Sequence, residues 1–324
     1  MPVVVGLSSA TSRATPIAPP DPTAPVVSLL RAAVPDADDE RWQLGFAFRP
    51  YSAAQAETID MCERTTANGR YPGSNNVRPT NEPRVDYVPF TIVHDEICSA
   101  LGFQIADGRD RALTGIVGKT PAAVEYELWS GELAQVKGYP QHYLSMPVVT
   151  DGGPVVDLTP VVSSARVPQN PLRALGLLEQ ALSNAGRATP SGSQAHTQVS
   201  TGQPMGPGRR GMIHCTAEMV PQWDGNSLLR REGNRLLTIL DSIIVPGSGY
   251  LGTGPGGISP PSGCTWVYAT SMIHVRLDDP YFEDDDVFAT FDRATNTVVV
   301  RVMRTAAAYW DYAAHFAVLA KVEV

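Results

Sequence analysis

The sequence predicts an α+β protein strung along one central helix, and three observations carry that prediction. Between Asp107 and Gly131 the apolar residues Leu113, Ile116/Val117, Val124 and Leu128 recur at three- and four-residue steps, the helical period. Before this run the chain reads as extended and β-rich. After it come about 155 residues rich in turn formers, then a closing pair of alternating runs. Gly and Pro reach 28 each in 324 residues while charged residues are only 18%, which means many turns and few charge-laced surface helices.

A hydrophobic fraction of 43% in a chain of this length supports a sizeable core and excludes a disordered protein. The shortage of surface charge suits either a loop-rich β protein or a subunit covered by partner subunits. The formal net charge of -8 argues against wrapping nucleic acid through a basic surface. Of the 25 basic residues only Lys119, Lys137 and Lys321 are lysine, a bias that a GC-rich genome produces without functional cause. Cys62, Cys98, Cys215 and Cys264 form no CxxC, so neither a disulfide framework nor a zinc module is indicated. The N-terminus lacks signal-peptide organisation and no apolar run approaches membrane-spanning length, so a soluble protein of a reducing compartment is expected.

In chain order, residues 1–41 include PIAPPDPTAP and read as a linker or as an extended arm, which to be ordered needs a partner surface. Trp42 to Tyr51 alternates as a strand, and Val85 to Phe103 returns as extended apolar structure. Between them lies a polar excursion of about 30 residues (57–84), a length uncommon unless functional or held by a partner. Its mixed charges, Glu63, Arg64, Arg70, Arg78, Glu82 and Arg84 among them, are the candidate contacts to a neighbouring subunit; a solvated hairpin is the alternative. The central helix has a second start signal at Thr120-Pro121, which predicts a break near 118–121 or two helices in tandem.

Short strands and turns are expected over 139–162. Asn170-Pro171 then opens a second helix with Leu172, Leu175, Leu178 and Leu182 on one face and Gly186 as its terminal glycine. Residues 187–210 read as a loop, 211–215 as a buried strand, 216–223 as a short helix, and 228–246 as a hairpin or turn feeding a buried strand. Thr265 to Leu277 is expected as one strand, the residues around Asp284, Asp285 and Asp286 as an acidic turn, and 297–307 and 315–324 as two final strands.

No motif makes a strong chemical claim. Gly247-Ser-Gly249-Tyr-Leu-Gly252 matches GxGxxG after an apolar run, but TGPGGISPPSG follows, which cannot form the helix a dinucleotide site requires. His94 with Cys98, His214 with Cys215, and Cys62 could be imagined as a zinc site; buried cysteines and satisfied core histidines fit the apolar contexts better. Glu125 and Glu127 fall on different helix faces and make no acid/base pair. No catalytic, cofactor or metal residues are therefore assigned, and no enzymatic activity is expected.

The order of elements is more specific than any motif. Arm, strand, long loop, returning strand, and a helix ending in Glu125-Tyr-Glu127-Leu-Trp129-Ser-Gly131 precede LRALGLLEQAL, RGMIHCTAEMVPQW and EGNRLLTILDSIIVPG. This order resembles the major capsid proteins of tailed bacteriophages with the Hong Kong 97 fold, and looks most like actinobacteriophage members, over about residues 40–324.

The resemblance implies an N-terminal arm (1–41), peripheral-domain strands with the extended loop and spine helix (42–136), an axial domain (137–290), and returning peripheral-domain strands (291–324). It implies self-assembly through pentamers and hexamers into an icosahedral head around double-stranded DNA bound without sequence specificity, in a virion assembled in a bacterial cytoplasm. Partners would be a separate scaffolding protein, since no large segment precedes the arm, with a portal and decoration proteins. Some members join a loop lysine to an asparagine of a neighbour; with no lysine before Lys119, a non-covalent shell is expected here. An encapsulin-type compartment shell, another virion protein, or an enzyme with an unrecognised site are the alternatives.

Overall fold

The computed structural model of this chain describes residues 27–35, 42, 45–48, 85–99, 105–138, 142–148, 155–185, 211–283, 291–292, 294–310 and 314–322. The first described segment forms a single helical turn, α1 (Leu29–Ala32), and a short strand, β1 (Val34–Pro35). Strands β2 (Phe46–Phe48) and β3 (Val85–Tyr87) pair antiparallel, Phe46 opposite Tyr87 and Phe48 opposite Val85. The chain therefore departs and returns side by side around residues 49–84.

Strand β4 (Phe90–Ser99) leads into the central helix, α2 (Ile105–Ser130). Gly108, Ala112, Ile116, Thr120, Val124 and Leu128 form its buried stripe, each four residues after the last and so on one face. The expected break at 118–121 is absent, because α2 runs unbroken through Pro121. The proline ring removes the N–H that would meet the Val117 carbonyl, but Val117 is on the solvent side of the helix at 49% exposure, where a missing helical bond costs least. One residue earlier the Thr120 hydroxyl donates to the Ile116 carbonyl at 2.7 Å, so Thr120 is an interior residue and not a cap. Gly131, at φ 57°, stops the helix, and α3 (Glu132–Lys137) follows with its Leu133 and Ala134 N–H groups donating to the Glu127 carboxylate.

Beyond α3 come β5 (Val156–Asp157), the tight hairpin β6 (Val161–Val162) and β7 (Ala165–Arg166), and α4 (Pro171–Ala185). Asn170 caps α4, accepting from the Arg173 N–H at 2.8 Å, and Ala174, Leu175, Leu178, Ala181 and Leu182 form its buried face; Leu172, expected there, is exposed. Gly186, residues 187–210 and Asp284 to Asp286 lie outside the described residues. Next are β8 (Met212–Cys215), α5 (Met219–Asp224), β9 (Leu229–Glu232), β10 (Arg235–Thr238) and β11 (Ile243–Pro246). The chain closes with β12 (Cys264–Thr270), β13 (His274–Leu277), β14 (Tyr281–Phe282), β15 (Phe291–Asp292), β16 (Thr297–Tyr309) and β17 (His315–Lys321).

These strands make two principal sheets. In the first, β16 is the trunk: β4 pairs along one side from Ser99 opposite Thr297 to Phe90 opposite Ala306, and β13, β14 and β15 pair along the other. Helix α2 covers one face of β4 and β16. The second sheet has the order β5-β17-β12-β8-β11-β10-β9.

Alternation along its central strands feeds two cores. Met212, Ile243, Val245, Trp266, Tyr268, Ala317 and Leu319 point toward α2, whereas Ile213, Ile244, Val267, Ala269, Phe316, Val318 and Ala320 point toward α4 and α5.

Two sequence expectations are corrected here. The run 265–277 is two strands in different sheets, β12 and β13, and the final pair is likewise divided, with β16 in the first sheet and β17 in the second. The chain changes sheet at Ser271 to Ile273 and again between Trp310 and Ala314, and the two crossings are tied by the Ser271 N–H donating to the Ala314 carbonyl at 3.3 Å. Alternation in a sequence reports which face a residue takes, not which sheet its strand joins.

Candidate functional site: the buried joint and the open sheet face

The two layers meet at the C-terminal half of α2, where the glycine-rich loop 247–254 crosses the helix. Glu125, fully buried, ties three segments together. Its Oε1 accepts the Leu29 N–H at 2.9 Å, and its Oε2 accepts the Ser248 hydroxyl at 3.2 Å and the Gly249 N–H at 3.1 Å. Burial raises the Glu125 pKa, and the hydrogen bonds from Leu29, Gly249 and Ser248 pull it back. Gly249 lies so close to the helix that a Cβ there would stand 2.1 Å from the Ala122 carbonyl oxygen. The GxGxxG match thus contains a glycine needed for close backbone approach to α2. Trp129 Nε1 donates to Thr253 Oγ1 at 3.0 Å, and the Tyr268 hydroxyl to the Thr253 carbonyl at 3.0 Å, completing the seam.

A continuous line of rings runs through this joint: Tyr87, His142, Trp310, His315, Tyr268, Trp129, Tyr250 and His214, with successive centroids 4.8 to 6.4 Å apart. His214 is held by the Tyr250 hydroxyl at 2.8 Å and Thr270 Oγ1 at 2.9 Å, and His315 Nε2 donates to the Leu144 carbonyl at 3.0 Å. Burial lowers the pKa of His142 to about 4, and of His214 and His315 to about 3, so all three are neutral at pH 7. Burial pushes the Cys215 thiol above its ordinary value, which makes it a poor nucleophile and a core residue.

The imagined zinc set does not come together. His214 and Cys215 are in the second sheet, whereas His94 is in the first, against Gly115 and 3.2 Å from Lys119 Nζ; Cys62 and the Cys98 side chain lie outside the described residues. Among the described residues no group of three His, Cys, Asp or Glu side chains could hold a metal ion. Glu63, Arg64, Arg70, Arg78, Glu82 and Arg84 all lie outside the described residues, so the structure neither gathers nor separates them.

Opposite α2, the other face of β4 and β16 carries Val93 and Ile97, both exposed, with Tyr281 beside Met303. Arg301 forms a fork on this face, donating to the two Asp95 carboxylate oxygens at 2.7 and 2.9 Å and to Glu283 at 3.2 Å. This face therefore combines an ion-paired arginine with exposed aliphatic residues.

No protein-family model matches the sequence, and no curated protein does. Solved structures do match. The capsid of an empty GTA particle aligns over 99% of this chain and 99% of its own, with a TM-score of 0.50 at 10% identity. The capsid of Ralstonia phage GP4 aligns over 100% and 99%, with a TM-score of 0.50 at 10% identity. The chain has the Hong Kong 97-type capsid fold. At 10% identity that fold is held by geometry and not by shared residues.

Within this capsid fold, Glu125 and Gly249 are the residues that sequence reading missed. The available signal was a carboxylate beside the buried stripe of a helix, together with a glycine-rich loop that no helix follows.

Proposed function

We propose that this chain is a major capsid protein, the shell-forming subunit of a phage head. The observation that carries the proposal is the correspondence to capsid chains over their full length and its own. Two features support it physically. The β2–β3 ladder closes the base of the 49–84 excursion, as a projecting intersubunit loop requires, and the open β4–β16 face presents aliphatic residues around a neutralised arginine.

In this reading residues 1–41 are the arm, although 27–35 pack on this chain's own core through Leu29, Ala32 and the β1–β13 pairing instead of needing a partner surface as the sequence suggested. Residues 42–136 are the peripheral unit with loop 57–84 and helix α2 as spine, and 137–290 the axial unit, apart from β13 and β14, which pair in the first sheet. The segment 291–324 divides between the two sheets. Glu63, Arg64, Arg70, Arg78, Glu82 and Arg84 would pair with charges on an adjacent subunit. Pentamers and hexamers would close into an icosahedral shell, helped by a separate scaffolding protein and joined by a portal and decoration proteins. The role is structural and not enzymatic. A chain of net charge -8 releases packaged double-stranded DNA from the wall without sequence preference.

Light scattering and negative-stain microscopy of the protein, expressed alone and with its scaffold, test this. Closed particles of megadalton mass are expected, and DNA rather than an enzyme cargo inside native particles separates a phage head from an encapsulin-type compartment. A compact monomer under both conditions overturns the proposal.

A further inference from the structure

The second sheet carries an exposed aliphatic pair at each of its two sides. Beside the β5 edge, hairpin β6–β7 projects with all four strand residues exposed, Val161 and Val162 at 61% each. Its turn places Ser163 and Ser164 at φ 50° and 68°, an unfavourable conformation for two residues with a Cβ. The Val167 N–H to Pro160 carbonyl bond at 2.8 Å closes its base, and the Arg166–Asp157 ion pair at 2.6 Å ties it to β5. So short a hairpin is not self-supporting in water.

On the other side, the β10–β11 turn exposes Ile239 at 66% and Leu240 at 42%. This turn is rigidly held from beneath. Buried Glu179 of α4 accepts the Thr238 and Ser242 hydroxyls, and Thr238 Oγ1 in turn accepts the Ser242 N–H at 3.1 Å. A buried carboxylate network that fixes two aliphatic side chains in solvent is an arrangement for presentation, not for packing within this chain.

We infer that these two patches are the halves of one head-to-tail contact, the Val161–Val162 hairpin of one copy docking on the Ile239–Leu240 turn of the next. The occupant is a second copy because the patches match in size and character yet cannot meet within one chain. The strand order puts β5 and β10 five spacings apart, about 24 Å. Each copy then covers both patches at once, and a contact between different surfaces propagates into a ring instead of stopping at a dimer. Strand β9, the last of this sheet among the described residues and beside the turn, carries Arg230, Arg231 and Glu232 as a polar rim to the aliphatic centre. This inference rests on the shell reading above and adds the surfaces and the interface type.

The test is a thiol pair across the contact. Val162→Cys/Ile239→Cys particles, treated with a short bis-maleimide and run on a denaturing gel, should give a ladder of linked multimers. Val162→Cys alone and Ile239→Cys alone should not, which controls for the native cysteines. A second variant, Ile239→Asp/Leu240→Asp, should retain subunit circular dichroism and lose particle formation. Normal particles with no ladder, or an Asp variant that assembles like wild type, overturn the inference while leaving the shell reading intact. Absence of particles from the wild-type chain with scaffold removes the shell reading, and this contact with it.

Discussion

Gly249→Ala places a methyl group where the structure has no room for one. The Cβ would stand 2.1 Å from the Ala122 carbonyl oxygen and 2.7 Å from the Tyr126 nitrogen, both helix backbone, so neither can rotate away. Loop 247–252 must lift, and two effects add. Overpacking a tight site costs about 1–3 kcal/mol. Losing the Gly249 N–H bond to Glu125 costs about 2 kcal/mol more, because a buried carboxylate is left short of a donor. The sum, about 3–5 kcal/mol, is a large fraction of the 5–15 kcal/mol typical of a folded domain.

Gly176→Ala is the control. That glycine is inside α4 with nothing within 4 Å of an added Cβ, so the substitution should stabilise by about 0.5–1 kcal/mol through helix propensity. Urea unfolding followed by tryptophan fluorescence reads both variants, and amide exchange at Leu29 should accelerate in Gly249→Ala, since its N–H shares the same carboxylate. A Gly249→Ala midpoint equal to wild type, or two variants that shift in the same direction, would refute the close-approach argument.

Acid should destabilise the subunit below pH 6.5. The folded pKa values of His142, His214 and His315 lie below the unfolded value, so the unfolded chain binds more protons from pH 6.5 down to about 4 for His142 and about 3 for His214 and His315, and stability falls through that window. The slope is on the order of 1.4 kcal/mol per pH unit for each histidine. The raised pKa values of Glu125 and Glu127 act in the opposite sense. Urea midpoints at pH 7.5 and 5.5 check this, and a flat profile contradicts it.

Gly115→Ala should destabilise by about 1–3 kcal/mol, since its Cβ would meet His94 Nε2 at 2.2 Å. Most of that loss should vanish in a His94→Ala background, and a double-mutant cycle showing additivity would exclude the contact. Glu179→Ala strands the Thr238 and Ser242 hydroxyls and should cost about 3 kcal/mol by the same unfolding assay. Boiled particles should run as a 34.7 kDa monomer on a denaturing gel, and a covalent ladder would contradict the non-covalent shell.

Period and punctuation were enough to find most elements. Helix α2 came from three- and four-residue apolar steps, α4 from its leucines behind Asn170-Pro171, and β8 from a short run that is apolar but for His214. The order of these elements also carried the capsid resemblance, because a fold whose parts come in an unusual sequence can be read from their succession even where identity to solved relatives is 10%.

What the sequence could not contain is partnership. Pro121 reads locally as a helix start, yet α2 passes through it because tertiary packing of the buried stripe outweighs one missing hydrogen bond. Run 265–277 reads as one strand but changes sheet, and the two final strands, read correctly as two, join different sheets, which only the pairing registers decide. Ile239 and Leu240 lie in a stretch that reads as a hairpin or turn feeding a buried strand, and only the Glu179 network shows that they are held outward. Glu125 meets its partners 96 and 124 residues away, and Gly249 matters only for what lies across from it. Local pattern determined which residues are buried and in what elements; the free energy of contacts between distant segments decided which elements meet, and so where this protein is tied together and where it is left open to another copy.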